Sequence, residues 1–194
     1  MRNPIRLKNL RPRFLPFYLV AGGLLLFVRP EAAAYLAGLA AVLAGVLLRT
    51  WGAGHLVKSE RLTVTGPYAW VRHPLYAGTL LVGVGIALMP GGWLSLAMLA
   101  VFLAWFLLAY FPRKEHSEAA RLEALHGRVF ADYRAEVPAL IPRLRAWRPA
   151  APDGQPGDPL GWSLDRYSEN NELGTLLGLI ALSICFGLRT WLVA

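Results

Sequence analysis

The sequence predicts an all-α membrane protein: about five transmembrane helices plus a cytoplasmic amphipathic helix, in a single domain over residues 1–194. Three observations predict it. Hydrophobic residues make up 56% of the chain and mean hydropathy is +0.42, above the usual range for a soluble domain of this length. The apolar residues fall in long runs. The net charge of +8 sits in residues that flank those runs, which points to a membrane boundary and away from nucleic acid.

The apolar runs cover residues 14–28, 32–50, 75–89, 93–111 and 173 to about 193. A helix rises about 1.5 Å per residue against a hydrocarbon layer of roughly 30 Å. The first and third runs therefore need flanking residues to span, and the others are long enough alone. Residues 29–31 and 90–92 form tight, nearly uncharged connections, whereas residues 49–74 and 113–172 are long and basic. The N-terminal stretch carries Arg2, Arg6, Lys8, Arg11 and Arg13. In a five-span arrangement only Arg29 and Arg189 of the 20 Lys and Arg residues fall on the opposite side. The positive-inside rule then puts the N-terminus and both long loops in the cytoplasm and the C-terminus outside. Cleavage of a signal peptide near residues 32–34 is disfavoured, because it would remove one partner of a tight helical hairpin.

Residues 113–137 are polar but periodic. Glu118, Leu122, Leu125, Val129 and Tyr133 recur every three or four positions, one face of a helix that continues from the fourth span. Its apolar face is expected to lie on the bundle or the lipid surface. Glu118 is on that face, where a carboxylate needs a partner such as Arg49, Arg72 or Arg113. Residues 150–160, rich in Pro, Gly and Asp, read as a loop, and residues 168–172 supply cap residues and negative charge for the last helix. There is no internal repeat.

Several chemistries are excluded. The single cysteine, Cys185, allows neither an intrachain disulfide nor a cysteine metal site. His55, His73, His116 and His126 lack ligand spacing, so no metal is expected. There is no Walker loop, zincin motif or nucleophile elbow. Gly83 and Gly85 lie inside an apolar helix, where helix packing is their expected role.

One stretch stands apart: GPYAWVRHPLYAG, residues 66–78. Gly66-Pro67 signals a turn. Pro74 suits the first turn of a helix, whose free amides face the cytoplasmic interface as an anion site beside Arg72 and His73. By itself this is also what an ordinary membrane-helix entry looks like. A second block, EAARLEALHGRVFADYRAEVPALIP, follows the fourth span.

Together the two blocks resemble the integral-membrane methyltransferases related to isoprenylcysteine carboxyl methyltransferase and phospholipid N-methyltransferase. Gly66, Pro67, Tyr68, Arg72, His73, Pro74, Tyr76 and Gly78 match the first family block; Glu118, Leu122, Gly127, Tyr133, Val137 and Pro138 match the second. The resemblance covers roughly residues 43–142, leaving the helix at 173–193 as an extra C-terminal span. The chain departs from the pattern at Ala119, where the family has a second Glu, and at His126 and Phe130. Glu115, Glu169 and Glu172 are the available substitutes for the missing carboxylate.

The resemblance implies S-adenosyl-L-methionine as methyl donor, bound at the cytoplasmic face. It implies Arg72 and Glu118 as catalytic residues, and Tyr68, His73, Pro74, Tyr76, Gly78 and Glu118 as the cofactor-binding set. Arg72 and the helix amides would hold the donor's carboxylate, Glu118 its ammonium or ribose hydroxyls, and His73 and Tyr76 its adenosyl part. The implied partner is a lipid-like acceptor entering from the bilayer: a prenylated thioether carboxylate, a phospholipid amine or a hydrophobic thiol. The alternative is a non-enzymatic membrane subunit that kept the fold. Binding of S-adenosylhomocysteine discriminates between the two.

Overall fold

The computed structural model describes residues 28, 30–57, 62–148, 161–170 and 172–192. The expected first span and the loop at 150–160 lie outside the described residues, apart from Val28. The described elements are all helical: α1 (Ala32–His55), a 3-10 turn (Gly66–Ala69), α2 (Pro74–Leu88), α3 (Gly92–Ala104), a π-helical turn (Trp105–Tyr110), α4 (Phe111–Glu136), α5 (Leu164–Glu169) and α6 (Leu173–Leu192). Helices covering 32–55, 92–136 and 174–192 are long and apolar enough to cross a membrane, and α2 is a shorter apolar helix. Large apolar side chains such as Leu43, Leu47, Leu96, Val101, Ile184 and Leu188 remain exposed on these helices, as expected of surfaces solvated by lipid.

Small residues set the packing of α1 against α2. Gly38, Gly45 and Gly52 recur at two-turn spacing on α1. A Cβ on Gly38 would lie 2.5 Å from the carbonyl oxygen of Gly85, and one on Gly45 would lie 2.7 Å from that of Gly78. The two helices therefore run antiparallel with their backbones in contact, the close approach that glycine permits within a membrane. Gly83 faces the ring of Phe102 on α3, so the expected packing role of Gly83 and Gly85 divides between two neighbours.

The tight turn at residues 90–92 forms as expected. Gly91 and Gly92 adopt φ of +80° and +56°, a region that glycine enters without steric cost. Ser95 Oγ accepts from the Gly91 amide at 2.9 Å and donates to Leu88 O at 2.8 Å.

Helix α3 runs through the π-helical turn into α4 without a break. Pro112 explains the irregularity: its ring conflicts with the carbonyl four residues back, inside the π turn, and it lacks an amide donor. Phe106, Tyr110 and Phe111 cluster here, with Phe106 fully buried.

The amphipathic helix differs in one respect from the face read in the sequence. Gly127 sits inside it at φ 49°, ψ −124°, which breaks the helical phase. Up to that point Ala119 and Leu122 face inward; beyond it Phe130, Tyr133 and Val137 do, and they join Trp147 in a buried cluster. Leu125 and Val129, expected on the buried stripe, are about half exposed.

Beyond α4 the chain folds back on the first motif. The Arg72 and His73 amides donate to Pro138 O (2.8 Å) and Ala139 O (3.1 Å), Arg143 N donates to Trp70 O (2.9 Å), and Trp147 N donates to Ala69 O (2.7 Å). Tyr133 Oη donates to Tyr68 O at 2.7 Å. The two sequence blocks thus form one hydrogen-bonded unit.

The C-terminal segment closes α1. The last carbonyls of a helix have no intrahelical donor. Here Asn170 Nδ2 donates to Ala53 O (2.8 Å) and Ser163 N to Gly54 O (3.0 Å), and Trp162 Nε1 adds a bond to Thr50 O (3.0 Å) within the helix. Helix α6 packs antiparallel along α1, with Phe186 among Tyr35, Val42 and Met89. The short helix α5 was not foreseen from the sequence.

Candidate functional site

A cavity of about 440 Å³ opens where the end of α1, the start of α2 and the face of α4 meet. Its size falls within the roughly 300–1,000 Å³ typical of small-molecule sites. Arg72, His73, Pro74 and Tyr76 approach from the start of α2, Tyr68 from the 3-10 turn, and Glu118 from α4. The expected site residues therefore converge, with one exception. Gly78 lies in the contact between α1 and α2, where a Cβ would meet Gly45 O at 2.8 Å, and it does not line the cavity.

Arg72 is nearly buried, and its Nη2 pairs with Glu115 at 2.9 Å. Its Nε and Nη1 are buried without a hydrogen-bond partner. A buried guanidinium with free donors is costly unless an acceptor arrives. These donors suit a carboxylate. Tyr76 Oη donates to Glu118, and His73 Nδ1 lies 3.6 Å from the same carboxylate. Glu118 is thus met by Tyr76 and His73 rather than by the cations considered from sequence. It is not sealed away either: its side chain is 44% exposed on the cavity wall.

His73 is held neutral. Burial and the neighbouring Arg72 guanidinium lower its pKa to about 4. Its contact with Glu118 is then no ion pair at neutral pH. Burial also raises the pKa of Tyr68 and Tyr133 well above the ordinary phenol value, so Tyr133 keeps the proton it donates to Tyr68 O.

Ala119, the departure from the family pattern, is buried with Phe130, Tyr133, Val137 and Trp147. Of the three substitutes weighed from sequence, Glu115 lies on Arg72 and Glu172 on Arg49, while Glu169 lies on α5. Glu115 and Glu118, one turn apart on α4, consequently meet the adjacent pair Arg72 and His73.

Leu122, His126, Phe130 and Tyr133 of the second block also line the cavity, and two further wall residues, Arg49 and Tyr110, were not among the expected site residues. Arg49 lines the cavity from α1; its Nη1 donates to Thr79 Oγ1 (2.5 Å) and Leu75 O (3.0 Å), and its Nη2 pairs with Glu172 at 2.7 Å. A cation at the end of an apolar span was the available signal. Tyr110 faces Tyr76 edge-on at 6.0 Å, and only the neighbouring Pro112 hinted at an irregular helix there. No group of His, Cys, Asp and Glu fit to hold a metal occurs among the described residues.

Residues 33–117, under half of the chain, match the phospholipid methyltransferase family, and over that stretch the chain is similar to this class of membrane methyltransferases. Its similar proteins include the protein-S-isoprenylcysteine O-methyltransferase of Schizosaccharomyces pombe, 32% identical over 93 residues, which are 45% of this chain and 38% of the relative. The rat enzyme of the same name is 31% identical over 121 residues, 56% of this chain and 41% of the relative. The nickel-cobalt-cadmium resistance protein NccN of Alcaligenes xylosoxydans xylosoxydans is 32% identical over 120 residues, 61% of this chain and 54% of the relative. The chain spans about half the length, or less, of these relatives. No solved structure matches it.

Proposed function

We propose that the chain is an S-adenosylmethionine-dependent membrane methyltransferase with a lipid-like acceptor that enters from the bilayer. The observation that carries this reading is Arg72, buried at the cavity wall with two unpartnered donor nitrogens, within the family-matched stretch. Bound there, the sulfonium of S-adenosylmethionine supplies the methyl group. Arg72 binds the donor's carboxylate, helped by the Leu75 and Tyr76 amides that the helix start leaves without an intrahelical acceptor. Glu118 binds the ammonium or ribose hydroxyls, and Tyr76 fixes its orientation through their hydrogen bond. His73 and Tyr76 border the adenosyl group. Positioning supplies most of the catalysis of such an in-line displacement.

Proton chemistry orders the candidate acceptors, with Glu118 and His73 the wall groups that could take a proton. A thiol or a lipid ammonium must lose a proton before attack. His73, with a pKa of about 4, is a poor acceptor for a proton held at about 8.5 or 10. A carboxylate needs no base. This favours a carboxylate acceptor such as a prenylated cysteine. The test is transfer of labelled methyl from S-adenosylmethionine by the full chain in nanodiscs, offered a prenylated cysteine, a phosphatidylethanolamine or a long-chain thiol. Label in the first alone is the expected result. Label in the amine or thiol alone overturns the acceptor, and label in none overturns the activity.

The burial of Ala119 among apolar side chains favours the second reading, a non-enzymatic subunit that kept the fold. That reading expects no labelled product from any acceptor and no binding of the donor's demethylated product.

A further inference from the structure

The chain after α4 makes a turn whose position relative to the membrane follows from its backbone bonds. Pro138 and Ala139 pair with Arg72 and His73, so the chain advances in step with the approach to α2; Arg143 and Trp147 then pair with Trp70 and Ala69, so it retreats. Residues 140–142 form the tip, at the level where Pro74 begins a membrane helix. Trp147 is buried and anchors the returning limb, yet Ile141 is 76% exposed and Leu144 95% exposed. Arg145 and Arg148 are exposed beside them, and Arg143 is engaged by Glu136 at 3.5 Å.

An apolar side chain at the tip, Ile141, and a second at the start of the returning limb, Leu144, backed by cations, are the chemistry of an interfacial anchor. We infer that the turn at residues 140–148 docks on the bilayer surface: Ile141 and Leu144 enter the acyl boundary, and Arg145 and Arg148 bind anionic lipid headgroups. The same backbone bonds tie this turn to Arg72 and His73, so the anchor holds one wall of the cavity at the membrane surface. The inference needs α2 to be a membrane helix and does not depend on the methyl-transfer reading.

The experiment uses the full chain, with Cys185 replaced by Ala, in nanodiscs that each hold one copy. Nitroxide labels are attached to Cys introduced at Ile141, Leu144 and, as a control on an exposed face of α4, Glu123. Discs contain phosphatidylcholine with or without phosphatidylglycerol. Labels at 141 and 144 should be accessible to oxygen and several-fold less accessible to a water-soluble nickel chelate than the label at 123. Phosphatidylglycerol should deepen that protection, and the Arg145→Gln/Arg148→Gln variant should lose the deepening. Nickel accessibility at 141 and 144 equal to that at 123 overturns the anchor. Protection that ignores both phosphatidylglycerol and the arginine substitutions overturns the headgroup contact.

Discussion

At Arg72 the guanidinium has two buried nitrogens to spare, and at Glu118 the carboxylate faces the same cavity. Glu118→Gln keeps shape and removes charge. A hydrogen bond to a charged group contributes about 1.5–3 kcal/mol, so affinity for S-adenosylhomocysteine should drop by an order of magnitude or more with little change in melting temperature. The reverse pattern, a lower melting temperature with activity intact in the folded fraction, would make Glu118 structural. His73 gives a prediction about pH. Its folded pKa, about 4, lies below the ordinary 6.5. Between these values the unfolded chain binds more protons, so stability is full above pH 6.5 and falls as pH drops toward 4. The loss amounts to at most about 3 kcal/mol. Thermal unfolding at pH 7 and pH 5 should show a drop in the parent protein that is smaller in His73→Gln; equal drops would disprove the assignment.

Two helices met backbone to backbone, α1 and α2, hold the cavity's floor. Gly45→Leu puts a branched side chain where a Cβ already lies 2.7 Å from Gly78 O, and the helices must separate. Folded yield should collapse, whereas Gly178→Leu, where nothing lies within 4 Å, should fold normally; comparable yields would place the helix contact elsewhere. The pair Arg49–Glu172 joins α1 to the start of α6 with side chains 17% and 11% exposed. Glu172→Gln leaves a nearly buried cation unpaired, a loss of about 3 kcal/mol, seen as a lower melting temperature. An unchanged melting temperature would reduce the pair to an incidental contact. Much at this scale was legible in the sequence. Long apolar runs gave α1, α2, α3 and α6, and the glycines marked the tight turn. The inward face of α4 was not legible, because the periodicity was read straight through Gly127, whose φ of 49° resets it. Arg72, His73, Tyr76 and Glu118 were legible through the family blocks. Arg49 and Tyr110 were not, because their place depends on how α1 and the π turn pack.

Across the molecule, the family-matched stretch ends at residue 117, just before Glu118, while the segment at 161–192 closes α1 through Trp162, Ser163, Asn170 and Glu172. The cavity sits at the end of the bundle where α1 stops and α2 and α6 begin; α6 ends at the other. With the basic loops at the cavity end, the orientation we propose from the positive-inside rule has the cavity on the cytoplasmic side and the end of α6 outside. A reporter fused after Ala194 should read on the outer side; a cytoplasmic signal would mean that a span is miscounted or the orientation reversed. The central claim is that the cavity binds the methyl donor, and calorimetry of the full chain in nanodiscs with S-adenosylhomocysteine tests it most directly. The account predicts saturable binding that weakens at least tenfold in Arg72→Ala while the variant stays folded. Absence of binding by the folded parent chain, or binding that Arg72→Ala leaves unchanged, would contradict it.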